Sequence, residues 1–107
     1  PHELQRKRIV IRPLDGPHDG ESPVKELAVP HSAYLLHWSP NGQALDYADT
    51  VEKVGNIWRL QLHGGPPRQL TDFKTDAISR FAWSHDGKKL ALSRLIRIQD
   101  VIMLRDF

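Results

Sequence analysis

Cysteine is absent from the 107 residues. That excludes disulfides and thiolate metal ligands, and it leaves the redox compartment open. No run of about 18 apolar residues occurs, so no membrane-spanning helix is expected. The start, PHELQRKR, has neither the apolar core of a signal peptide nor an initiator methionine, so a trimmed N-terminus is expected and the compartment is left unassigned. An excess of one charge is lacking too. The 15 basic and 13 acidic residues are well mixed, for a formal charge of +2. That is no nucleic-acid footprint, and the one basic cluster, Arg6-Lys7-Arg8, reads as a solvated arm. An apolar content of 39% allows a core, though not a generous one, and the length bounds the chain to one domain or part of one.

Catalytic and ligand-binding patterns are also missing. The six histidines (His2, His18, His31, His37, His63 and His85) include no pair at helical metal spacing and no HExxH. His18 beside Asp19 lies in a loop-like stretch, where solvated surface is the expectation. Ser39 and Ser84 follow tryptophan without a surrounding Gly-x-Ser-x-Gly, so they read as turn residues rather than nucleophiles. Asp86 lacks the further oxygens of a calcium loop. Gly64-Gly65 precedes no helix that could bind phosphate. The expectation is no catalytic, cofactor or metal site, and no enzyme.

What is present is a repeat. Residues 36–42, LHWSPNG, return as residues 81–87, FAWSHDG, with Trp38 and Trp83 about 45 residues apart. In register, Leu36 falls on Phe81, Ser39 on Ser84, Gly42 on Gly87, Leu45 on Leu90 and Tyr47 on Leu92. With one deletion, residues 56–60 fall on 100–104. Upstream, residues 9–16 fall on 57–64, and 24–29 fall on 68–73. A period of about 45 with only strand-like segments fits four-stranded antiparallel β-propeller blades. With strands a to d named from the inner edge outward, the chain reads c, d; a, b, c, d; a, b, c. That is an all-β chain of about two and a quarter blades.

Taken in order, residues 1–8 form a polar arm and 9–107 the propeller portion: a partial blade over 9–29, a full blade over 30–76 and a partial last blade over 77–107. Strand 9–14 should turn Val10, Arg12 and Leu14 to the core by alternation, but Arg12 breaks that face and Pro13 removes a ladder donor. Strand d follows at 24–29. The full blade has strands near 34–39, 44–49, 56–62 and 68–73. Asn41-Gly42 predicts a two-residue hairpin turn with positive φ at both positions. Leu45 and Tyr47, then Trp58, Leu60 and Leu62, alternate as on strands with one covered face. In the last blade Ser79, Phe81 and Trp83 share a face, as do Leu90 and Leu92. Strand c at 101–107 begins with Val101, Ile102, Met103 and Leu104, apolar on both faces.

The segments WSPNGQAL, NIWRLQLHGGPPRQLTDF and FAWSHDGKKLALSR resemble the TolB-type, WD40-like propeller repeat, over about residues 9–107. The ending, DVIMLRDF, is similar to the last blade of propellers fused to bacterial serine/threonine kinases or winged-helix regulators. The resemblance implies a bacterial sensor or interaction module binding a protein, a peptide or a small ligand. No kinase motif is present. Three departures stand out: His85 where proline is usual, Asp46 in a small or apolar part of strand b, and Leu95, Ile96 and Ile98 in a loop that is usually small and polar. Those three read either as a longer strand b folded into the blade or as an apolar patch covered by another chain.

Two and a quarter blades leave apolar faces and strand edges open. Either the chain is a piece of a longer protein or copies assemble head to tail. In a ring, strand 24–29 of one chain would complete the last blade of the next, three chains would make six blades, and strand 9–14 would be surplus. The expected interchain or edge residues are Val24, Leu27, Val29, Leu95, Ile96, Ile98, Val101, Ile102, Met103 and Leu104. His37, on innermost strand a where the second copy has Ala82, could line the channel or serve as a structural histidine. Three functions follow as expectations: a self-associating scaffold module, a ligand-binding piece of a bacterial signalling protein, or an enzyme whose site forms only between chains.

Overall fold

A computed structural model describes residues 6–14 and 25–96. Within them the protein is all-β and antiparallel, with eight strands in three sheets. β1 (Arg6–Ile11) pairs with β2 (Lys25–Pro30). β3 (Tyr34–Trp38), β4 (Ala44–Val51), β5 (Val54–Gln61) and β6 (Arg68–Gln69) form a four-stranded meander in sequence order. β7 (Ala77–Trp83) pairs with β8 (Leu90–Leu95). The segments 15–24 and 97–107, with the expected strand at 101–107, lie outside the described residues.

The central sheet is covered on both faces, not one. Tyr47 and Leu60 pack with Val29 and Ala33 on the side of the first hairpin, with Ile9, Leu27 and Trp58 around them. Ala48 and Ile57 pack with Ile78 and Phe81 on the side of the last hairpin. Residues 44–49 of β4 are therefore all buried, and strict alternation fails there. Removing each large apolar side chain of these layers from water contributes roughly 1.5–3 kcal/mol.

β1 departs from expectation in extent and face. It starts at Arg6, inside the stretch read as an arm, and stops at Ile11, two residues before Pro13, which has no N–H to give to a ladder. Its inward residues are Ile9 and Ile11. The expected set is turned the other way, with Val10 50% and Leu14 85% exposed. All six of its residues pair with β2. Lys7 sends its ammonium to the Ala33 carbonyl, which ties the hairpin to the start of β3.

The repeat is visible in the turns. Gly42 N–H donates to the Ser39 carbonyl (2.9 Å), and Gly87 N–H to the Ser84 carbonyl (2.9 Å). The Ser39 hydroxyl donates to Asn41 Oδ1 (2.8 Å), and the Ser84 hydroxyl to Asp86 Oδ1 (2.6 Å). Ala44 N–H and Lys89 N–H each return to the serine oxygen at 3.0 Å. Within these two turns only the glycines take positive φ, at 73° and 75°. This is a four-residue turn with its first corner at Pro40 or His85, a position that tolerates most residues. It corrects the expected two-residue Asn-Gly turn and explains why His85 can replace proline.

The two-residue turn lies elsewhere. Glu52 and Lys53 join β4 to β5 with φ of 51° and 70°. Both positions favour Asn-Gly, and neither residue here is of that kind. β6 is also shorter than the strand expected over 68–73. Beyond Gln69 the Asn56 side chain takes over, accepting from Phe73 N–H (2.6 Å) and the Thr71 hydroxyl (2.8 Å). Thr71 Oγ1 accepts from Ile57 N–H (2.9 Å). With the backbone bond from Leu70 N–H to the Ile57 carbonyl (2.8 Å), these side chains hold the segment past the end of the ladder.

Replacing Glu52-Lys53 by Asn-Gly is expected to raise the unfolding free energy by about 1 kcal/mol, since each L-residue at positive φ costs on that order. Urea unfolding with an unchanged slope checks it. An unchanged or lower midpoint would contradict it.

Candidate functional site

Asp46 is the residue from which the site is built. It is 0% exposed, in the middle of β4. The ladder sets it opposite Arg59 of β5, which donates from Nε to Oδ1 (2.7 Å) and from Nη2 to Oδ2 (3.0 Å). From the last hairpin, Trp83 Nε1–H donates to the same Oδ2 (2.8 Å). The guanidinium carbon sits 5.5 Å from the Trp83 ring centroid. The hydrogen bond to Asp46 holds the Arg59 pKa above its ordinary value, against a smaller opposing pull from burial. Three donors on one buried carboxylate meet the requirement that buried charge be paired. The cluster joins two sheets, so it fixes how the last hairpin sits on the central one.

His37 lies on β3, opposite Asp46 in the ladder but exposed. Its ring meets Phe81 edge-on, with centroids 4.6 Å apart and planes at 64°. It stands at the mouth of an open cleft of ≈ 640 Å³ between β3 and the last hairpin. The walls are Leu35, Phe81, Ala82, Ala91 and Leu92, and the polar groups are His37, Ser79, Arg80 and Ser93. A bulge between Tyr34 and His37, with Leu35 at φ 58°, sets the direction in which β3 presents these side chains. Ser79 and Ser93 are tied to each other, Oγ to Oγ, at 2.9 Å. Apolar walls with one guanidinium, from Arg80, suit an apolar group carrying an acceptor.

Of the other expected site residues, Leu27 and Val29 lie in the layer between the first hairpin and the central sheet, Val29 fully buried. They pack within the chain. Leu95 closes β8 and Ile96 follows it, 57% and 72% exposed, so the apolar end of the last hairpin stands in solvent in the single chain. Val24, Ile98, Val101, Ile102, Met103 and Leu104 lie outside the described residues. Among the described residues no three His, Cys, Asp or Glu side chains gather as a metal set. Sequence reasoning noted Asp46 only as a departure and missed Arg59 and Trp83 as its partners. The missing signal was the turn at Glu52-Lys53: counting back from it places residue 46 opposite residue 59.

Truncating Asp46 to alanine strands a guanidinium and an indole N–H. A loss on the order of 3 kcal/mol is expected. Trp83→Phe should cost about 1.5–3 kcal/mol, the usual weight of a hydrogen bond to a charged group. The double variant Asp46→Leu, Arg59→Met should recover most of the Asp46→Ala loss, since no charge is left unpaired. Denaturant unfolding reads all three. An Asp46→Ala change within about 0.5 kcal/mol, the range of an ordinary surface substitution, would contradict the assignment.

Compared with known proteins, the chain matches no family model, and it matches no curated protein.

Proposed function

We propose that the chain is a non-catalytic β-propeller interaction or scaffold module whose copies join head to tail into a closed ring. The supporting observation is the sheet order: a hairpin, a complete four-stranded meander and a second hairpin, stacked face to face. The shared hydrogen-bond set of the Ser39 and Ser84 turns supports reading the meander and the last hairpin as successive blades of a TolB-type repeat. At about 45 residues per blade, two blades per chain give six from three chains. Closing a ring covers edges that an open stack leaves to solvent.

The cleft beside His37 favours a second reading, a bacterial sensor piece that takes a small ligand or a peptide side chain between neighbouring inner strands. Both readings put recognition, not bond-making, at the inner strands.

Light scattering on the eluting protein tests the first reading. A discrete mass near three times the 12.3 kDa of one chain is expected. A single-chain mass at all concentrations would overturn it.

A further inference from the structure

The first hairpin and the last are complementary halves. In the central sheet, β4 is the second strand and β5 the third, joined by an eight-pair ladder from Ala44↔Gln61 to Val51↔Val54. By the repeat, β8 corresponds to β4 and ends the last hairpin as a second strand. β1 corresponds to β5 and opens the first hairpin as a third strand, with its fourth, β2, already paired to it. Among the described residues β8 pairs only with β7, and β1 only with β2.

We infer that the β1–β2 hairpin of one copy docks intact against β8 of another, completing a composite four-stranded sheet across two chains. The inference rests on the self-association proposed above and differs from the expectation that β2 alone is lent, because β2 is paired along its length to β1. Its support is pairwise. Where the central ladder sets Asp46 against Arg59, the composite ladder sets Ala91 against Ile11. The acid and the base are thus replaced together, and neither edge carries half of the charged pair. Where the central ladder sets Tyr47 against Trp58, the composite sets Leu92 against Val10, which is half exposed in the single chain. Ala48 opposite Ile57 becomes Ser93 opposite Ile9. The one like-charge pair, Arg94 with Arg8, brings its own counterions: Asp76 lies 3.7 Å from Arg94, and Glu26 lies 3.6 Å from Arg8. Exposed large apolar side chains also gather on these two parts of the chain, Val10 and Leu14 at one, Leu95 and Ile96 at the other. The competing occupant of the β8 edge is the chain's own stretch 101–107. Occupation of the edge by that stretch would leave both ladder pairs of the test unlinked.

The absence of cysteine makes the test clean. Ala91→Cys and Ile11→Cys chains are prepared separately, mixed, and treated with a short bismaleimide. A species of twice the chain mass is expected in the mixture and in neither variant alone. Ile96→Cys with Arg6→Cys, on exposed positions at the end of the same ladder, is the second pair and does not disturb the core. Ala91→Cys with Val51→Cys, out of register, should stay unlinked. If scattering shows multimers but neither ladder pair links above the control, the composite sheet is overturned while self-association stands. A single-chain mass overturns both.

Discussion

The structure depends on covering both faces of one four-stranded sheet. β4 cannot be half wet: residues 44–49 are buried on either side, and two of them are carboxylates, Asp49 toward the end of the strand and Asp46 further in. An apolar residue there would let the neighbouring hairpin slide. Asp46 does not, because its two oxygens are divided between Arg59 of the same sheet and Trp83 of the next. The apolar layers supply most of the attraction, which has no preferred direction. The carboxylate supplies direction, since its hydrogen bonds hold only at one setting of the last hairpin.

Close approach is the second constraint. Gly55, second residue of β5, lies against Ile78, second residue of β7. A Cβ on it would lie 2.8 Å from the Ile78 backbone nitrogen, and its N–H donates to the Asp76 carbonyl at 2.9 Å. Gly87 presses on Pro40, so the two repeated turns touch. With Trp83 on Asp46, these contacts set the spacing of β3 from β7. The cleft beside His37 is what remains between them.

All-antiparallel β structure, the strand order and the positions of the repeated turns were legible in the sequence, because alternation and glycine placement are local signals. The turn chemistry was partly misread. Asn41-Gly42 looks like a two-residue turn, but the Ser39 hydroxyl and Pro40 recruit it into a longer one, while the true two-residue turn carries Glu52-Lys53. The face of β1 was read from Val10 and Leu14. The choice of Ile9 and Ile11 depends on which side the central sheet lies, and that is not a local signal. Asp46 was visible as an oddity, but its meaning required knowing the ladder register. Leu27 and Val29 illustrate the same limit: an apolar strand asks to be covered, and its composition does not say by what.

Amide hydrogen exchange is the most direct measure of a doubly covered central sheet. Residues 44–50 and 56–60 should exchange slowest in the molecule, with β2 and β7 intermediate and β6 fastest of the strands. If β4 and β5 exchange as fast as the outer hairpins, the central sheet is not held from both sides, and Asp46 does not organise the fold.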